Sequence, residues 1–138
     1  EGGGIYLTNT ETGIREGLSG KNREYFEQHY PGVILPESLQ SEGWWNRSFE
    51  QREERRPRAR RVLDYLLEKH GGREDNVAMI THAGFSNHLL CELLGIPEGE
   101  KVWFRLDNAA ITRVVLDEFE TRLVYSNRLD YMPREWIT

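Results

Sequence analysis

Apolar positions are sparse at the start of the chain. Between residues 1 and 20 they fall only at Ile5, Tyr6, Leu7, Ile14 and Leu18, among Gly, Thr and Asn. No period holds long enough to predict a regular element, so the stretch reads as a long loop. From Lys21 to His29 the spacing of Tyr25, Phe26 and His29 predicts a short helix, stopped by Pro31-Gly32. Val33 to Asn46, with Pro36, Gly43 and the Trp44-Trp45 pair, has no periodicity and reads as a second structured loop. The longest helical pattern runs from Phe49 to His70, where Ala59, Val62, Leu63, Leu66 and Leu67 make one stripe, and Gly71-Gly72 ends it. Pro57 lies inside this pattern and predicts a kink or break near Arg56.

The second half alternates differently. Asn76 to Thr81 is a short, mostly apolar run of the length of a buried strand. His82 follows, Ala83-Gly84 make a tight turn, and Phe85 to Leu94 reads as a helix with Leu89, Leu90, Leu93 and Leu94 toward a core, closed by Gly95 and Pro97. Strand character returns at about Val102 to Leu106, Ala110 to Asp117 and Arg122 to Ser126. A turn at Glu118 to Thr121 makes the last two a β-hairpin.

At 138 residues, with 38% apolar and 30% charged side chains, the chain fits one domain large enough for a core and a concave site. A formal net charge of -5 argues against a dedicated nucleic-acid binder. No run approaches the roughly 18 to 20 apolar residues of a membrane span, and the start lacks the order of a signal peptide, so a soluble, cytoplasmic protein is expected. Cys91 is the single cysteine and rules out an internal disulfide; among Leu89, Leu90, Leu93 and Leu94 it reads as a buried, inert thiol. His82 and His88 are six apart and no Cys or carboxylate cluster joins them, so no metal is implied. Ser19 and Ser86 stand in no G-x-S-x-G elbow. The run Glu50 to Arg61 holds six Arg and three Glu and reads as a solvated helix face laced with i, i+4 pairs.

Chemistry concentrates at His82. In open α/β sheets ligands sit outside the carboxyl ends of strands, where a helix N-terminus offers free N–H groups and partial positive charge to an anion. A donating His82 and the Ala83 N–H suit the oxygens of a phosphoryl group. The competing reading makes His82 a strand-end residue bonded to a neighbouring carbonyl, and position alone leaves both open.

The string Val77-Ala78-Met79-Ile80-Thr81-His82-Ala83-Gly84-Phe85 resembles the second-histidine motif of the histidine phosphatase superfamily, the phosphoglycerate-mutase-like group. The likeness continues through Leu89 to Pro97, through Phe104 to Thr112 and through Asn127 to Pro133, covering most of residues 50 to 133. It implies an α/β three-layer sandwich with a mostly parallel sheet and helices on both faces. It also implies a phosphatase that hydrolyses a small phosphate monoester through a phosphohistidine. In that chemistry one His attacks phosphorus, a second His and Arg side chains hold the oxygens, and a carboxylic acid protonates the leaving oxygen. His82 matches the second His, assisted by the backbone N–H of Ala83.

The nucleophile of the family belongs to an Arg-His-Gly motif on its first strand, and the sequence contains no Arg-His-Gly. Together with the Glu1-Gly2-Gly3-Gly4 start, this leads to the expectation that residues 1–138 are the C-terminal part of a single domain whose first strand, nucleophile and second arginine motif lie upstream. By the same resemblance Glu1, ahead of its Gly-rich loop, is the preferred general acid. Glu11 is an alternative, and a threading that puts Asn9 there would place a side chain unable to donate the proton. Trp44-Trp45-Asn46-Arg47 is open to two readings, a substrate-pocket wall or an aromatic anchor for its loop. The rival functions are a mutase of the same fold and a non-catalytic binding module. No cofactor, nucleic-acid or membrane partner is implied, and the oligomeric state is not legible.

Overall fold

Polar side chains, as much as apolar ones, set the local structure of the chain, seen here in a computed structural model that describes residues 5–39, 41–45, 49–99 and 101–137. Its contacts divide into two compact units, Glu1–Arg52 and Glu53–Thr138.

The first unit opens with a β-hairpin rather than the expected loop. Strands β1 (Ile5–Thr8) and β2 (Arg15–Leu18) pair antiparallel, with Tyr6 opposite Gly17 and Thr8 opposite Arg15. The turn between them is organised by one side chain: Asn9 Oδ1 accepts the N–H groups of Glu11 and Thr12, both at 2.9 Å. Such an Asx turn needs no apolar period, which is why the pattern missed it. The Arg15 guanidinium lies over the rings of Tyr6 and Phe49, about 5 Å from each centroid. Helix α1 (Arg23–His29) follows as expected; Asn22 caps it by accepting from the Tyr25 N–H at 3.1 Å. Arg23 then donates to the carbonyls of Pro36 and Leu39 at 2.6 and 2.9 Å, pinning the second loop to the helix.

In the second unit helix α2 (Arg52–His70) runs on across Pro57 without the break that the proline could have caused. The N–H that Pro57 lacks would have bonded the carbonyl of Glu53, in the first helical turn, so only one bond at a fraying end is lost. Helix α3 (Ala83–Leu93) ends in a Schellman arrangement: the Ile96 N–H donates to Cys91 O and the Gly95 N–H to Glu92 O, with Gly95 at φ +64. Ala59 and Leu63 of α2 pack on Phe85 and Leu89 of α3 to form the core. Cys91 is buried, as its apolar setting predicts. Strands β3 (Ile111–Leu116) and β4 (Thr121–Arg128) make the expected hairpin, its tip closed by Asp117 Oδ1 accepting from the Phe119 and Glu120 N–H groups.

The fold is therefore mixed α/β, with helices and two small antiparallel sheets among the described residues. A mostly parallel sheet does not appear among them. The runs Asn76–Thr81 and Val102–Leu106, expected as strands, belong to neither sheet, and Val77, Met79, Ile80 and Trp103 are exposed. Their apolar composition matches a buried strand, but a strand also needs neighbours to satisfy its backbone, and composition does not supply those. Among the described residues no helix is long and apolar enough to cross a membrane.

The arginine-rich start of α2 is less solvated than its composition predicts. Arg56 donates through Nε to Glu92 and through Nη2 to the Ile96 carbonyl, and Arg60 reaches the other Glu92 oxygen at 3.4 Å. The Arg56 and Glu92 side chains keep only 17% and 12% exposure. Burial alone pushes the Glu92 carboxyl up, but the bonds and charges of Arg56 and Arg60 outweigh it and hold the group below the ordinary carboxylate range. A pKa lower in the folded than in the unfolded state stabilises the fold above the unfolded value, about 4.3, and that contribution disappears as pH falls through the folded value. Glu92→Gln should therefore cost about 1–3 kcal/mol at neutral pH. It should also flatten the fall of the urea midpoint between about pH 5 and 3, leaving the slope due to Asp107, Asp117 and Asp130, whose carboxyls are likewise held down by hydrogen bonds. Parallel midpoint-versus-pH curves for the two proteins would show that the pair contributes nothing.

Candidate active site

A helix start without a cap is the feature around which the site is built. His82 is the residue ahead of α3, in extended backbone at φ -95 and ψ 149, and its side chain does not cap the helix. Its carbonyl accepts the Ser86 N–H at 2.9 Å, which leaves the N–H groups of Ala83, Gly84 and Phe85 outside the helical ladder. The first turn of α3 carries no acidic residue to offset the positive end of the helix dipole. His82, Ala83 and Gly84 are all exposed, and a Cβ added to Gly84 would meet nothing within 4 Å. An imidazole, backbone donors outside the helical ladder and open space thus lie within one turn, an arrangement suited to an anion with several oxygens. Just before it, the buried Thr81 hydroxyl has no hydrogen-bond partner among the described residues.

Behind this turn the structure is tightly specified. Phe85 is 4% exposed in the core, with the Arg58 guanidinium 4.2 Å above its ring centroid. Asn87, 2% exposed, bonds Ala83 O and both backbone groups of Phe104. Further on, Asn127, at φ +55, accepts the Asp107 N–H at 2.7 Å and donates to the Asp107 carboxylate at 2.9 Å. The Asn127 bond, then that from Arg105, hold the Asp107 carboxyl below its ordinary range. Sequence reasoning passed over Asn87; a lone amide among Phe85, Leu89, Leu90 and Cys91 was the available signal.

The other sequence candidates fare unevenly. Glu1 and Arg47 lie outside the described residues. Glu11 is exposed in the β1–β2 turn, and the Asn9 side-chain oxygen is committed to that turn. For the tryptophans the anchoring reading holds: Trp44 and Trp45 donate backbone bonds to Lys21 O and Ser19 O at 3.0 and 2.8 Å, and Trp45 is buried. Gly43, at φ +106, makes this approach possible, because a Cβ there would sit 2.3 Å from Ser19 O. His29, His70 and His88 lie on α1, α2 and α3, as the periodicity implies.

The sequence pattern of the histidine phosphatase superfamily (branch 1) matches residues 8–128. No curated protein and no solved structure matches the chain. The family match spans most of the 138 residues and contains the whole His82 turn, helices α1, α2 and α3 and the C-terminal hairpin, so the chain belongs to the histidine phosphatase superfamily.

Proposed function

We propose that the chain contributes the second-histidine part of a phosphatase site and that the protein hydrolyses a small phosphate monoester through a phosphohistidine. The observation that carries this reading is the uncapped, acid-free first turn of α3 with His82 at its head, within the family match. The family acts on small phosphorylated substrates or moves phosphoryl groups between them. With no Arg-His-Gly among the 138 residues, the attacking imidazole is assigned to a histidine outside them. Its nitrogen bonds to phosphorus as the P–O bond to the leaving group breaks, and a carboxylic acid, Glu1 on this reading, gives its proton to the leaving oxygen. Water then attacks phosphorus, the P–N bond breaks to restore the imidazole, and the water proton returns to the carboxylate. Throughout, His82 and the Ala83 N–H donate to the non-bridging oxygens, whose charge they stabilise more as the transition state forms. The complete domain on this reading is the three-layer α/β sandwich of the family, in which Asn76–Thr81 gains strand neighbours.

The test is an assay of the full protein with an aryl phosphate and with 3-phosphoglycerate. Release of inorganic phosphate from the aryl ester supports the phosphatase. Isomerisation of 3-phosphoglycerate without release shows a mutase, and inertness toward both shows a binding module.

A further inference from the structure

A helix whose first turn has no side-chain cap gives up the stabilisation that a cap supplies, and such a turn tends to fray. In α3 the same turn is held from its carbonyl side instead. Asn87 Nδ2 donates to Ala83 O at 3.0 Å and to Phe104 O at 3.0 Å, while its Oδ1 accepts the Phe104 N–H at 2.6 Å. One buried carboxamide thereby uses both amide hydrogens and its oxygen, and treats the Phe104 peptide as a ladder partner. Three residues later the Asp107 backbone N–H is taken by Asn127, which also accepts no freedom of its own, since its backbone N–H donates to Thr112 Oγ1 at 3.3 Å. The segment from Phe104 to Asp107 is fixed at both ends by amide side chains, and Asn87 links it to the residue directly after His82.

We propose that Asn87 is a positioning residue for the His82 site, tethering the first turn of α3 to the Phe104 peptide so that His82 and the Ala83 N–H keep a fixed aim. The proposal rests on the phosphatase reading above. Asn87→Leu would extend the apolar stripe of Phe85, Leu89 and Leu90 with a side chain of the same branched shape, but it would leave the Phe104 N–H and carbonyl without this partner, so stability and positioning have to be separated by experiment. A satisfied buried amide contributes geometry, because its bonds exist only in one arrangement of helix and segment. For a group that must meet developing charge, displacement by about 1 Å costs up to roughly 100-fold in rate.

The test uses the full protein with Asn87→Leu, which keeps the branched shape and removes every bond, and with Asn87→Ser, whose hydroxyl can still back-bond to Ala83 O but cannot reach Phe104. His82→Ala is the control. Both Asn87 variants should lose about 10-fold or more in kcat for aryl-phosphate hydrolysis with KM within about 3-fold, and both should speed hydrogen exchange at the Phe104 amide. The kcat losses should be alike even where the urea midpoints of the two variants differ, a pattern that general loosening of the core would not give. A folded Asn87→Leu or Asn87→Ser protein with kcat within about twofold of the parent, beside a large loss in His82→Ala, overturns the tether alone. A parent that releases no phosphate overturns the phosphatase reading, and the tether with it.

Discussion

His82→Ala should lower kcat for aryl-phosphate hydrolysis by the full protein about 100-fold or more while leaving the unfolding free energy from urea titration within about 0.5 kcal/mol of the parent. Both halves follow from where the residue sits. It is exposed, lies just outside α3 and does not cap the helix, so truncation removes neither core packing nor a helix stop. In the transition state, by contrast, it is one of the donors to oxygens that gain charge, and loss of one such donor commonly costs about 100- to 1000-fold, near 2.7–4 kcal/mol. Because the donor acts mainly on the transition state, the loss should fall on kcat and kcat/KM together, with KM little changed. His82→Gln, which keeps an N–H donor but not an imidazole, should recover part of the rate. Activity unaltered in His82→Ala would remove His82 from the mechanism and leave it only the residue that leads into α3.

The motif around His82 was legible because every signal in it is local. Small residues after a histidine open a helix, and leucines at helical spacing followed by Gly95 and Pro97 close it; the structure places α3 there to within two residues. The β3–β4 hairpin was legible for the same reason, with alternating apolar residues on either side of a short polar turn. What escaped the sequence depends on partners chosen across the chain. The β1–β2 hairpin is set by the Asn9 side chain closing its turn, and by Arg15 stacked on Tyr6 and the distant Phe49. Arginine composition suggested a solvated face for α2, yet Arg56 turns inward because Glu92 and the Ile96 carbonyl, some forty residues on, neutralise it there. The Asn87–Phe104 tether spans 17 residues and has no periodic signature at all. Asn76–Thr81 fails in the opposite sense: its composition is that of a strand, but ladder bonds come from neighbours, and composition carries no information about them.

Three residues beyond His82, Phe85→Ala should show the reverse signature. The ring is 4% exposed and packs with Ala59, Leu63 and Leu89, and Arg58 lies over its face at 4.2 Å. Truncation removes the transfer free energy of the ring and leaves a cavity that two helices joined at this point cannot fully close, a loss of about 3–5 kcal/mol. The displaced Arg58 adds about 0.5–2 kcal/mol more by losing its cation–π contact and exposing the helix seam. Set against a total of about 5–15 kcal/mol for a domain, that brings the protein close to half unfolded at modest temperature. Chemical denaturation with the far-ultraviolet helix signal as the readout should show the midpoint fall, and Phe85→Leu, which keeps most of the volume, should lose less than half as much. In conditions where Phe85→Ala remains folded, phosphate release per folded molecule should stay within about 10-fold of the parent, because the ring donates nothing to the phosphoryl group and acts only through the turn it supports. Stability lost without chemistry at Phe85, and chemistry lost without stability at His82, would separate the scaffold of this turn from its reactive edge. A fall in turnover at Phe85 as deep as that at His82 would instead mean that the aim of the imidazole depends on the core packing itself and not on the hydrogen bonds behind Ala83.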